Sequence, residues 1–223
     1  MANHDHSHLE EVAVQDHHSH GHDDHHDDHH GDKYQSNFIT HYIFSQDHKI
    51  IARQFLITGM FWGVIGALMS LVFRLQLGFP EESLAWLQPV LGKWIVVNEA
   101  GMGTLDPDFY YALVTMHGTI LVFFVLTAGL SGTFSNLLIP LQIGARDMAS
   151  PLLNMLSYWF FFLAGAVMFA SLFLSTGPFS GGWTAYPPLS ALPQASSGSG
   201  AGMTLWLVSM VFFIVSVLLG GIN

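Results

Sequence analysis

Residues 114–140 read VTMHGTILVFFVLTAGLSGTFSNLLIP, and their only ionisable side chain is His117. A helix that crosses a hydrocarbon core of about 30 Å needs about 20 mainly apolar residues, and this stretch exceeds that length. In lipid, every backbone N–H and C=O must be paired within the segment, which selects a helix. Followed outward to its apolar limits, the segment covers 110–141, enough to tilt or to protrude. Three other stretches share its character: 55–76, 152–174 and 203–223. The chain therefore reads as an all-α membrane protein, a polytopic helical bundle with four transmembrane helices. Small residues inside the spans (Gly63, Gly66, Ser70, Gly129, Ser131, Gly132) suit close helix packing in lipid.

The charge distribution agrees. Only 10% of the 223 residues are charged, against about 25% in a soluble domain. Nine of the 16 acidic residues precede position 33, and 13 of the 14 histidines lie at or before His48. The net charge of -10 thus belongs largely to a tail. Residues 1–34, with runs such as HHSHGHDDHHDDHHGD (17–32), carry too little apolar surface to offset chain entropy and are expected to be disordered. They lack the apolar core of a secretory signal peptide. Their imidazoles can bind zinc, copper or nickel weakly, although a solvated tail is the plainer expectation. There is no basic footprint for nucleic acid. There is also no cysteine, hence no disulfide framework and no thiolate metal site.

Lys and Arg near the span ends set the orientation. Lys33, Lys49 and Arg53 precede the first span, and Arg146 separates the second from the third. The 78–109 loop holds Glu81, Glu82, Glu99, Asp106 and Asp108 against Lys93 alone. A cytoplasmic N-terminus follows, with the first and third loops outside.

His117 lies about seven residues into the second span, roughly 10 Å deep at 1.5 Å per residue. An ionisable group at that depth is costly and marks a candidate site. One alternative is a neutral imidazole hydrogen-bonded to a neighbouring helix. The other is an axial haem ligand, because a porphyrin supplies the remaining nitrogens that a lone histidine cannot. Arg74, at the outer end of the first span, either snorkels to the interface or binds a polar substituent of a cofactor. Asp147 lies in the loop IGARDMASP (143–151) and taken alone is an ordinary solvated acid. Around it, Asn136, Asn154, Ser157, Ser216 and Asn223 occupy the cytoplasmic halves of three spans. Such residues either pair helices or hold a file of waters for protons. A divalent-metal transporter with a His-rich cytosolic tail is a further alternative, but the spans offer no second histidine and no i, i+4 ligand pair.

Several segments, in order, resemble the N-terminal part of subunit I of haem-copper terminal oxidases, in particular A-type cytochrome c oxidase. They are YIFSQDHKIIARQF (42–55), RLQLGFP (74–80), VTMHGTILVFF (114–124), SNLLIPLQIGARDMASPLLNMLSYW (135–159), GGWTAYPPLS (181–190) and LLGGIN (218–223). The resemblance implies, as a fold-level analogy, helices I to IV of a bundle of about twelve. It makes His117 an axial ligand of a low-spin haem a, Arg74 a contact of the haem formyl group and Trp183 a contact of a haem propionate. Asp147 becomes the mouth of a proton pathway, with Asn136, Asn154, Ser216 and Asn223 along it. No oxygen-reducing residue falls in this stretch. The high-spin haem and the copper (CuB) are expected on later helices, so the chain reads as part of a longer subunit. The implied activity is transfer of electrons from cytochrome c to a haem-copper centre that reduces O2 to water with proton pumping. A quinol oxidase of the same superfamily is the alternative, and a non-catalytic assembly piece is another. The implied partners are oxidase subunits II and III, cytochrome c or another respiratory donor, O2 and lipid, in a bacterial cytoplasmic membrane. Three positions depart from the pattern: Gln76 replaces a carboxylate of a surface cation site, Phe55 replaces a pathway tyrosine, and Met155 replaces a pathway asparagine.

Overall fold

Asp47 starts the first membrane helix. Its carboxylate accepts the Lys49 backbone N–H at 2.7 Å, an N-cap that satisfies an otherwise unpaired donor. Helix α1 then runs His48–Gly78. The computed structural model describes residues 38–80, 82–192, 194–195 and 200–223. The expected disordered tail, 1–34, lies outside the described residues. Helix α1 begins at His48 rather than at 55 because the apolar pattern marks where lipid begins, whereas hydrogen bonding continues through the polar first turns.

Helix α2 spans Pro107–Ile143. Asp106 caps it by accepting the Phe109 N–H at 3.0 Å, and Pro107 sits in the first turn, where no N–H is needed. Gly144 ends it with a left-handed φ of 71°. Between Ile120 and Leu130 the helix widens to π geometry. Each i→i+5 turn takes up an additional residue, so the faces below this segment are rotated relative to those above it. Helix α3 covers Pro151–Ser171 and α4 covers Ala201–Ile222. Helix α3 stops short of 174 because Leu172, Phe173 and Leu174 donate to carbonyls three residues back, a tightened turn that leads into Gly177 and Pro178. These four helices are long and apolar enough to cross a membrane, in agreement with the four expected spans.

The first loop contains a short helix, Gln88–Leu91, and a hairpin that no sequence pattern announced. Strands β1 (Ile95–Val97) and β2 (Gly103–Leu105) pair antiparallel, with Ile95 opposite Leu105. Three residues are too few for a period-two signal. Asn98 closes the turn by accepting the Met102 N–H at 2.8 Å.

An aromatic chain joins all four helices. Phe55 stacks on Phe161 at 5.4 Å, Phe161 meets Phe124 at 5.8 Å, and Phe124 contacts Trp62 at 5.3 Å and Phe213 at 5.8 Å. Lipid tails are as apolar as these side chains, so dispersion and fit hold the helices together rather than water exclusion. Backbone meets backbone at Gly59 and Gly129, where a Cβ on Gly59 would lie 2.9 Å from the Gly129 Cα. Gly59→Ala is therefore expected to destabilise the bundle by about 1–3 kcal/mol. A lower midpoint of detergent-induced unfolding would register the loss. Gly78→Ala, with nothing within 4 Å of the new methyl, should leave that midpoint unchanged.

Candidate functional site

The sequence candidates gather in two places. In the N-terminal half of α2, the half-buried His117 turns its ring toward α1. Its Nδ1 lies 2.8 Å from the Gly66 carbonyl oxygen. A carbonyl only accepts, so Nδ1 carries a proton, and in the neutral ring the lone pair is on Nε2. Phe73 packs edge-on against the ring, at 5.4 Å and 79°. The bond to α1 meets the plainer expectation of an interhelical hydrogen bond for one nitrogen only. Among the described residues, Nε2 has no partner.

Trp183 arrives from the loop between α3 and α4. The Gly182 N–H donates to Thr115 Oγ1 at 2.9 Å, which docks this loop on α2. The Trp183 ring then lies over Gly118, where a Cβ would come within 3.3 Å of it, and meets Phe123 edge-on at 5.8 Å. Arg74 follows Phe73 near the C-terminal end of α1. It is exposed and makes no hydrogen bond or ion pair with the described residues. The fold thus brings Trp183 beside Gly118, the neighbour of His117 on α2, and leaves Arg74 exposed on α1 with no contact to either. No group of three or more His, Cys, Asp or Glu among the described residues is placed to hold a bare metal ion. The free Nε2 of His117 could serve as the one protein donor to an iron whose remaining nitrogens come from a macrocycle.

At the opposite end of the bundle, a cavity of about 460 Å³ is lined by Asn136, Asp147, Asn154, Ser157, Ser216 and Asn223, with Phe55 in its wall. All five expected pathway residues therefore meet in one space. Asn136, Asn154, Ser157 and Ser216 are buried. Some of their polar atoms are paired: Asn136 Nδ2 donates to the Gly132 carbonyl at 2.7 Å, and Ser216 Oγ donates to the Ser157 carbonyl at 2.7 Å. Others are not. Asn136 Oδ1, Asn154 Nδ2 and Asn223 Nδ2 are buried without a hydrogen-bond partner. Leaving such a group unsatisfied costs about 1–3 kcal/mol. A cavity of this size, with these amides and hydroxyls in an otherwise largely apolar wall, offers room for ordered water.

A model of the cytochrome c and quinol oxidase polypeptide I family matches residues 50–223. The chain belongs to this family. Among curated relatives of this oxidase family, the alternative cytochrome c oxidase subunit 1 of Bradyrhizobium diazoefficiens is 40% identical over 184 residues, 82% of this chain. Cytochrome c oxidase subunit 1 of Thermostichus vulcanus is 36% identical over 183 residues, also 82% of the chain. The heme-copper oxidase subunit I+III of Aeropyrum pernix is 35% identical over 186 residues, 83% of the chain. The chain spans 28% of the length of the first two relatives and 20% of the third.

One residue that bonds Asp147 was not singled out from sequence. His48, the first residue of α1, is 4% exposed, and its Nδ1 donates to Asp147 Oδ1 at 3.1 Å. The same carboxylate oxygen accepts the Met148 N–H at 2.8 Å. In the sequence, His48 sits close behind a histidine-rich tail and was counted with it. Its place directly after the capping Asp47 was the available signal. The three departures also have structural counterparts. Gln76 Oε1 accepts the Leu105 N–H at 2.9 Å and ties the hairpin to α1. Phe55 joins the aromatic chain, and Met155 packs against the core.

Proposed function

We propose that this chain forms the low-spin-haem and proton-uptake part of the catalytic subunit of a respiratory terminal oxidase. The whole enzyme would take electrons from cytochrome c and pass them through haem a to a high-spin haem and CuB, reducing O2 to water with proton pumping. The observation that carries this reading is the free Nε2 of His117, with Nδ1 bound to the Gly66 carbonyl. When bound, a haem would supply a redox-active iron. His117 would hold that iron through Nε2, with the Gly66 carbonyl fixing its tautomer and raising its basicity. Arg74 would provide a donor for a formyl oxygen and Trp183 an indole N–H for a propionate.

At the inner end, Asp147 takes up protons and His48 holds its carboxylate in place. Asn136, Asn154, Ser216 and Asn223 carry the chain of hydrogen bonds inward from it. The proposed setting is a bacterial cytoplasmic membrane with the N-terminus inside, and subunits II and III as partners. Family membership sets aside the metal-transporter alternative. The family includes both cytochrome c and quinol oxidases, and cytochrome c is preferred because the relatives above that name a donor name cytochrome c. Oxygen consumption by the assembled enzyme is expected with reduced cytochrome c. Consumption with a quinol alone, and none with cytochrome c, would make it a quinol oxidase.

A further inference from the structure

Thr115, Gly118 and Thr119 share one face of α2 at i, i+3 and i+4 spacing, and the segment that leads into α4 packs on that face. Thr115 is 3% exposed, and its Oγ1 accepts the Gly182 N–H at 2.9 Å. A second buried threonine backs this bond. Thr119 Oγ1 donates to the Thr115 carbonyl at 2.9 Å and accepts the Trp206 indole N–H of α4 at 3.2 Å. The Trp206 ring in turn meets Phe179 at 5.4 Å, and Phe179 is fully buried just before Gly182 in the chain. Contacts thus run from α2 to α4, on to the connecting segment, and back to α2 at Thr115. The far end of that segment is pinned separately: the Lys93 ammonium donates to the Ser175 carbonyl, and a Cβ on Gly177 would come within 3.0 Å of the Trp94 ring.

Gly182 passes this restraint to one side chain. Its φ of 83° is a left-handed conformation that suits glycine, and its carbonyl accepts the Ala185 N–H at 3.0 Å, which closes the turn. Trp183 lies inside that turn. The atom of its ring closest to a Cβ placed on Gly118 is Cδ1, at 3.3 Å. Cδ1 is bonded to Nε1, so the ring edge that bears the N–H lies near the residue next to His117. Trp183 is otherwise 46% exposed, so packing alone leaves the ring room to shift. We propose that Thr115 is a positioning residue: by holding the Gly182 N–H, its hydroxyl sets where the Trp183 indole N–H stands beside His117. Trp183 matters here as the haem propionate contact proposed above, on which this role of Thr115 rests. An N–H donated to a propionate offsets part of its negative charge. Once the N–H is displaced, the uncompensated charge favours oxidised iron, so reduction becomes harder.

Thr115→Val keeps the shape of the side chain and removes the hydroxyl, whereas Thr115→Ser keeps the hydroxyl. Thr115→Ala replaces Thr115→Val should the latter fail to accumulate. The assembled, haem-loaded enzyme is measured in two ways. In amide hydrogen exchange read by mass spectrometry, the peptide that holds Gly182 should exchange about fivefold faster in Thr115→Val, the loss of one hydrogen bond. In a redox titration, the ratio of reduced to oxidised low-spin haem at a fixed potential should fall about threefold in Thr115→Val and in Trp183→Phe, about 28 mV at about 59 mV per tenfold for one electron. Thr115→Ser should match wild type in both. Wild-type exchange in Thr115→Val would overturn the proposal. Faster exchange with an unchanged potential would overturn it too, if Trp183→Phe lowers the potential. An unchanged potential in Trp183→Phe would instead remove the propionate contact, and the role of Thr115 with it.

Discussion

His117→Ala is expected to remove the low-spin haem band from the reduced-minus-oxidised spectrum of the assembled enzyme. Oxygen consumption should fall by more than about 100-fold, since loss of even an outer partner of a metal ligand costs about 10–100-fold. The geometry makes the comparison sharp. If His117 served only to join α2 to α1 through Gly66, its removal would cost about 0.6 kcal/mol, the average for hydrogen bonds between membrane helices. That would lower stability slightly and leave the spectrum as it was. The Gly66 bond uses Nδ1 alone. The lone pair on Nε2 would have no purpose in such an arrangement, and a half-buried imidazole in a membrane helix is costly to keep. An unchanged low-spin band in His117→Ala would remove the ligand assignment.

Asp147→Asn is the second large effect. Turnover should fall at least about 10-fold, at the low end of what a positioned proton-transfer group contributes, while the haem spectrum stays normal. The substitution preserves shape. An amide oxygen at position 147 still accepts from His48 Nδ1–H and from the Met148 N–H, so the loop and the cavity mouth are kept. What disappears is the capacity to bind and release a proton. Proton uptake measured with a pH dye in the stopped-flow instrument should slow together with turnover. Normal uptake and turnover would exclude Asp147 from the path.

The four helices were legible because lipid imposes a simple rule: about 20 apolar residues and an internally bonded backbone. Their ends were less so. Hydropathy cannot register the polar turns His48–Gln54, which are helical yet lie before the apolar stretch. The π segment Ile120–Leu130 left no mark, since its residues are as apolar as any α-helical span. It nevertheless helps determine which side of α2 bears His117 and which bears Asn136. The separate candidates His117, Arg74, Trp183 and Asp147 were found from sequence by their cost or through family resemblance. The docking of the Trp183 loop on α2 was not legible, because it depends on a long-range contact, Thr115 with Gly182. His48 was missed for the same reason: its partner Asp147 is 99 residues away.

The free Nε2 of His117 is the atom proposed to meet iron. A density map of the haem-loaded, assembled enzyme resolves it. The expected result is iron on Nε2, with Nδ1 still bonded to the Gly66 carbonyl. Iron on Nδ1, or a low-spin haem held without His117, would contradict it.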